Sequence, residues 1–505
     1  MNKTLKFFKK NIICLYCLIL AFLTLLITSK NSFLYPLNDW VDANAFFTVG
    51  KSMFNGVVPY KDIFEQKGLI LYFIYGIGYL FSPKSFHGVF ILEVLFFTVF
   101  LYFVHKIIVL FFKNKYSYIF LPIIAVLITT SVSFVHGGSC EEFCLPFFAI
   151  TLYYYLKHFK DKELSYKQLF INGFIAGVIL LIKYTFLGFW FAFMMFIFFD
   201  FIRKKSFKKA FCACGVFLLG MSEPVIISLI YLGVNGAIKD FINDYFIINM
   251  TAYNEVISIG SRFNKVFKGV FSSLLDNGYL VYFGIILLPF YLCKLKMDNY
   301  EKMSLIGIFV IFSLGLFWGL HFYRYYMLPL LIFLIIAILG ISGWLKKYID
   351  KIVEMKFANL IYLLVFIVCM CLCYSGANYK EMIFLDKNKM FQFKYAEYIN
   401  NYDNPTLLNM GYLDAGLYTT TGIVPNTKFF EVQNIPYDRF PDNLDDMKYN
   451  VVNGNVMFVL YYTKDSLDNV RRKVPYLFDN YTLVYDDVYL FEKEEYNAYL
   501  FYVNS

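Results

Sequence analysis

Residues 38–68 read NDWVDANAFFTVGKSMFNGVVPYKDIFEQKG, a polar stretch of aspartates, lysines and aromatic residues that follows an apolar run at 11–28. A run long enough to cross a bilayer, then some thirty polar residues, then further apolar runs, is the pattern of a polytopic membrane protein. Charged groups beside a bilayer are costly and tend to mark a site. This first loop is therefore where chemistry is expected.

Composition agrees. The chain of 505 residues is 59% hydrophobic and 16% charged, with mean hydropathy +0.57, whereas a soluble chain carries about a quarter charged residues. Apolar stretches lie near 11–28, 86–112, 117–135, 143–157, 168–185, 187–202, 209–232, 278–294, 302–320, 327–345 and 357–375. These give an expectation of about eleven transmembrane helices. GLILYFIYGIGYLF (68–81) is apolar but short and glycine-punctuated, and reads as an interfacial helix.

Lysine and arginine set the expected orientation. The start carries Lys3, Lys6, Lys9 and Lys10, and alternate loops are basic: Lys113 and Lys115; Lys157, Lys160, Lys162 and Lys167; Arg203 to Lys209; Lys294 and Lys296; Lys346 and Lys347. Basic loops face the cytoplasm, which predicts a cytoplasmic amino terminus and a carboxyl-terminal tail outside, in the cytoplasmic (plasma) membrane. The net charge of +9 follows from this pattern, so nucleic acid is not an expected partner. The ten cysteines all lie between Cys14 and Cys373, which gives the tail no disulfide framework. Cys140 and Cys144 have only His136 nearby in sequence and read as packing residues.

Three expected outer segments are long or polar: 29–85, 136–142 and 233–277, the last read as interfacial amphipathic helices. Residues 1–375 form the expected membrane domain with its first outer loop at 29–85. Residues 376–505 form an expected extracytoplasmic α/β domain, with strands at TLLNMG (406–411), KFFEV (428–432), NVMFVLYY (455–462) and YTLVYDDVYLFEK (481–493) separated by helix-compatible stretches.

Asp39 and Asp42 are three residues apart, so a helix starting here places both carboxylates on one face near its amino-terminal end. Such a carboxylate can act as a base or bind a cation, and it can also simply cap the helix. Glu141 and Glu142, in HGGSCEEFCLPF (136–147), open the fourth span on the same expected side. Lys67, Lys183 and Arg324, the last in HFYRYYMLP (321–329), are cations on that side. Each can snorkel to headgroups, and together they can bind a lipid phosphate, with arginine supplying a bidentate fork.

These residues resemble the GT-C superfamily of polytopic glycosyltransferases, in particular the protein O-mannosyltransferase and lipid A aminoarabinose transferase type. DANAFFTVGKSMFNGVVPY (42–60) resembles the family's first-loop acid and the G-x-x-x-Y/W stretch that ends here at Tyr60, and FEQKGLILYF (64–73) resembles the lysine before a second interfacial helix. By that resemblance Asp42 is the catalytic acid and Lys67 contacts the lipid phosphate. Glu141 and Glu142 fall near a second acidic position. YYMLP (325–329) resembles a late aromatic-x-x-Pro element that puts Tyr326 near the phosphate. Asp39, Tyr60 and His321 are secondary, Asp39 as a cap or loop anchor.

The resemblance implies a GT-C-like helical fold and transfer, with inversion, of a sugar from a polyprenyl-phosphate-linked donor. The acceptor would be an extracytoplasmic glycan, lipid or protein of a bacterial cell envelope. Two acidic patches also offer oxygen ligands for a divalent cation such as Mg²⁺ or Mn²⁺, although the mannosyltransferase-like branch need not bind one. A flippase or transporter is the alternative that the intramembrane acids Glu93 and Glu223 keep open. A polymerase of lipid-linked glycans would use the same lipid chemistry.

Overall fold

The computed structural model of the chain describes residues 3–160, 163–254, 257–276, 278, 284–492 and 494–504, with backbone alone for 3–11 and 276. Lys162, Lys493 and part of the expected span 278–294 lie outside the described residues. By contacts the chain divides into two compact units. One comprises Met1–Ser29, Ile91–Ile227 and Ile257–Lys380, and the other Lys30–Phe90, Ser228–Val256 and Glu381–Ser505. The expected division at 375 placed the first outer loop with the membrane helices, whereas contacts group residues 30–90 with the tail.

Through the first half of the chain the helices are α1 (Lys3–Thr28), α2 (Val41–Phe54), α3 (Leu69–Phe81), α4 (His87–Phe111), α5 (Ser117–Thr129), α6 (Cys140–Lys160), α7 (Tyr166–Leu180), α8 (Leu187–Arg203) and α9 (Phe207–Val234). Among the described residues, six helical stretches are long and apolar enough to cross a membrane: His87–Phe111, Tyr184–Arg203, Phe207–Val234, Asn299–Phe317, Arg324–Trp344 and Ala358–Gly376. Each falls on an expected span. Ile12–Thr28, Asn114–Thr129 and Tyr166–Leu180 are apolar but shorter, so among the described residues six of the eleven expected spans meet the length and apolarity of a crossing helix. α3 also is short. At 1.5 Å per residue its thirteen residues reach about 20 Å, less than the ~30 Å hydrocarbon core.

Small residues govern the packing of the membrane unit. Gly173 and Gly177 of α7 face α9, where a Cβ would lie 1.9 Å from the Phe217 carbonyl oxygen and 2.3 Å from that of Met221. Only glycine allows this backbone approach, and the four-residue spacing is the usual small-residue seam between membrane helices.

The other unit is built on a four-stranded sheet of β1 (Leu407–Met410), β2 (Phe458–Thr463), β3 (Tyr481–Phe491) and β4 (Glu494–Val503), in the order β1-β2-β4-β3. β1 and β2 are parallel, and the other pairs are antiparallel. Three expected strands are present. KFFEV (428–432) is not a strand: the Lys428 carbonyl accepts from the Phe64 N–H at 2.9 Å and the Phe430 carbonyl from the Asn409 N–H at 3.2 Å. β4 is an added strand. Its run Ala498–Phe501 is buried throughout, as suits a strand paired on both sides but unlike an alternating pattern. The core joins Leu408, Val459, Tyr499 and Phe501 to Phe64 of the first loop, whose ring lies 5.1 Å from those of Phe429 and Phe440. The first loop thus folds as part of the tail's core.

Candidate active site

α2 begins one residue before Asp42, which lies in its first turn and is partly exposed. There the unsatisfied N–H groups of the helix favour a carboxylate in its ionised form. The Asp42 carboxylate lies within electrostatic range of Tyr412 and Glu431. Trp40 is the N-cap residue and supplies no side-chain cap. Asp39 does not cap either. It is buried, ion-paired with the buried Lys30, and accepts a hydrogen bond from the Tyr489 hydroxyl at 2.7 Å. These contacts tie Asp39 to β3 and to the start of the first loop.

Lys67 reaches the same helix. Its ammonium sits 5.6 Å from the centroid of Phe46, one turn beyond Asp42, and 3.9 Å from Glu65 Oε1. The Lys67 N–H donates to Glu65 Oε2 at 2.8 Å, and its carbonyl accepts from the buried Tyr60 hydroxyl at 2.8 Å. Tyr60 adopts φ 72°, a left-handed conformation that a bulky side chain rarely takes. Such strain persists where the surroundings impose it, and here it shapes the turn that delivers Lys67.

The tail contributes two buried acids to this unit, Asp414 and Glu431. Asp414 accepts from the Thr48 hydroxyl at 2.7 Å, and its own N–H donates to Glu431 Oε2 at 2.5 Å. Burial raises the Asp414 carboxyl to about 6. Burial, with Asp414, Glu65 and Asp42 nearby, holds Glu431 well above the usual carboxylate range. Lys51 is fully buried, which lowers it to about 7 despite Asp414. Sequence reasoning missed all three, since nothing local distinguishes an aspartate in YLDAG or a glutamate in KFFEV from surface residues.

In the membrane unit, Glu141, Lys183 and Tyr326 come together. Lys183 Nζ lies 2.6 Å from Glu141 Oε1 and 3.4 Å from the centroid of the Tyr326 ring, while Cys140 Sγ donates to Glu141 Oε2 at 3.0 Å. Glu142 serves the helix start: its N–H donates to Ser139 Oγ at 3.0 Å, and its Oε2 accepts from the Gly138 N–H at 2.8 Å. This is close to a capping box, and the S-x-x-E spacing of Ser139 and Glu142 is its sequence signal. Arg324 is exposed, and the His321 ring stacks parallel to Tyr323 at 6.0 Å. Among the described residues no group of three or more His, Cys, Asp or Glu side chains is placed to hold a metal ion.

Residues 67–227 match the family model described as dolichyl-phosphate-mannose-protein mannosyltransferase. No curated protein matches the chain. Among solved structures, the arabinofuranosyltransferase AftD from mycobacteria is similar, with a TM-score of 0.48 and 9% sequence identity over 98% of this chain. The chain spans 41% of the length of that protein.

Proposed function

We propose that the chain transfers a sugar from a polyprenyl-phosphate-linked donor to an acceptor hydroxyl outside the cytoplasmic membrane, with Asp42 as general base and Lys67 at the leaving phosphate. The acceptor proton passes to the Asp42 carboxylate as the hydroxyl oxygen forms its bond to the anomeric carbon. The bond from that carbon to the phosphate oxygen breaks, and the electron pair leaves on the phosphate. Attack from the face opposite the phosphate inverts the anomeric centre.

One observation carries this reading. Asp42 stands in the first turn of α2, where the helix favours the ionised base, and the Lys67 ammonium lies over Phe46 one turn further. A base in the first turn of α2 and a cation set over the next turn then serve a forming and a breaking bond, the arrangement that general-base catalysis with leaving-group stabilisation needs. The family match, which begins at Lys67, supports the donor class. Glycan, lipid and protein acceptors all present a suitable hydroxyl. The test is Asp42→Asn in a transfer assay: a variant that transfers sugar at the parent rate sinks the reading.

A further inference from the structure

Asp42 stands on a helix whose opposite face is held by the tail. Asn44, Thr48 and Lys51 are spaced by four and three residues, so they form one stripe along α2. All three are fully buried, although a polar stripe ordinarily faces water. Each finds its partner in one short stretch of the tail. Thr419 Oγ1 donates to Asn44 Oδ1 at 2.7 Å, Thr48 Oγ1 donates to Asp414 Oδ2 at 2.7 Å, and Lys51 Nζ donates to the Tyr418 carbonyl at 2.7 Å.

The stretch is itself anchored. The Gly416 N–H donates to Asp414 Oδ1 at 2.9 Å, Gln392 Nε2 to the Ala415 carbonyl at 3.0 Å, and the Tyr418 hydroxyl to the carbonyl of Leu407 in β1 at 2.6 Å. Gly416 has φ +91°, and a Cβ there would lie 3.2 Å from Asn44 Oδ1, so glycine permits this approach. At about 100° of rotation per residue, Asp42 and Phe46 lie on the far side of α2 from the stripe.

We infer that residues 414–421 of the tail are a positioning element for the reaction: by holding Asn44, Thr48 and Lys51 they fix the rotation of α2 and thereby the direction of Asp42. The inference rests on the reading of Asp42 as the base. A reacting group displaced by about 1 Å can lose roughly 10²-fold in rate, so a rotation that leaves α2 folded still suppresses transfer. The tail is then part of the catalytic apparatus without touching substrate.

The test uses the full-length protein in proteoliposomes. A membrane extract of the source cells supplies donor and acceptor, and release of polyprenyl phosphate is followed by mass spectrometry. Thr48→Val keeps the side-chain shape and removes the donor to Asp414. We expect kcat to fall about tenfold or more while KM for the donor stays within about twofold, with Thr48→Ser restoring the parent kcat. Lys51→Met should show the same split. Unchanged kcat per folded molecule in both variants overturns the inference, and so does a rise in KM alone, which would mark a substrate contact. Should Thr48→Val fail to fold, Thr419→Val, which removes the donor to Asn44, is measured in the same way. Asp42→Asn is run in parallel. If it is inactive while the clamp variants are fully active, this inference alone fails; if it is active, the reading of Asp42 falls and the inference with it.

Discussion

Each unit of the molecule contains a buried carboxylate, a lysine and a tyrosine, joined in different ways. In the membrane unit Lys183 lies between Glu141 and the face of the Tyr326 ring, so the tyrosine serves the cation. In the loop–tail unit the Tyr489 hydroxyl donates to Asp39, so the tyrosine serves the anion, and Lys30 completes the pair. The first group is assembled from residues at helix ends. In the second, Asp39 and Tyr489 are 450 residues apart in sequence, and their bond ties β3 to the first loop. A buried pair contributes little net stability but is costly to break on one side. The second group therefore works as a latch between distant parts of the chain, three residues from the proposed base.

The largest expected effect separates base from latch. Asp42→Asn should lower the transfer rate by about 10² to 10⁴, the usual loss on removing a general base, with the melting midpoint close to the parent. Asp39→Asn should do the reverse. It removes the carboxylate from the buried Lys30–Asp39 pair, at a cost of about 3–5 kcal/mol, while the folded fraction keeps substantial activity. Rate and thermal denaturation measured on both variants check this. If Asp39→Asn melts normally and is inactive, the roles are exchanged.

Next in size is the contrast between the two site lysines. Lys183 is buried and held at 2.6 Å by Glu141, whereas Lys67 is 3.9 Å from Glu65 with a fifth of its side chain exposed. Lys67 is the better placed to meet a phosphate. Losing one side of a charge pair with a ligand costs about 2–5 kcal/mol, so Lys67→Met should weaken binding of a polyprenyl phosphate at least tenfold. Titration of the purified variant with that lipid decides the matter, and unaltered affinity removes Lys67 from the site.

Much of the membrane unit was legible because its rule is simple. A helix such as Phe207–Val234 must be long and apolar, and both properties are local. The start of α2 near Asp42 was legible as well, from the local spacing of its acids. The partners that complete the loop–tail unit were not. Asn44, Thr48 and Lys51 are polar residues at helical spacing, and nothing near them in sequence shows that each meets a partner in the tail, more than 360 residues away. KFFEV has the composition of a strand, but its backbone is spent on the first loop and on β1. Long-range satisfaction of polar groups leaves no period in the sequence.

A smaller effect comes from an acid that no latch neutralises. Asp244 is buried in the π-helical turn Ile242–Ile247, and its Oδ2 has no hydrogen-bond partner among the described residues. Burial raises its carboxyl from the usual 3.8 to about 6, against Asn243 and Lys428, which favour the ionised form. The folded protein thus holds this proton more tightly than the unfolded chain. Its stabilising contribution is complete below about pH 4 and is lost as pH rises through about 6. Asp244→Asn should therefore stabilise the protein by about 1–3 kcal/mol at pH 7.5 and by nothing at pH 4. Thermal melts at the two pH values check the sign, and an equal shift at both would mean the effect is not one of ionisation.

The smallest effect tests the opening contrast directly, because the same substitution is made in both groups. Tyr489→Phe removes the hydroxyl that donates to Asp39 and leaves the ring against Phe391 at 5.5 Å. A hydrogen bond to a charged group contributes about 1.5–3 kcal/mol, and Lys30 still neutralises Asp39, so the loss should lie toward the lower end. Tyr326→Phe keeps the aromatic face on which Lys183 rests, and cation–π attraction depends on that face, not on the hydroxyl. Its effect should be smaller. Hydrogen exchange separates the two, because loosening of the latch should raise exchange in residues 481–491 for Tyr489→Phe and leave them unchanged for Tyr326→Phe. If Tyr326→Phe proved the more damaging, the tyrosine of the membrane group would be acting through its hydroxyl, and the two groups would differ in position but not in kind.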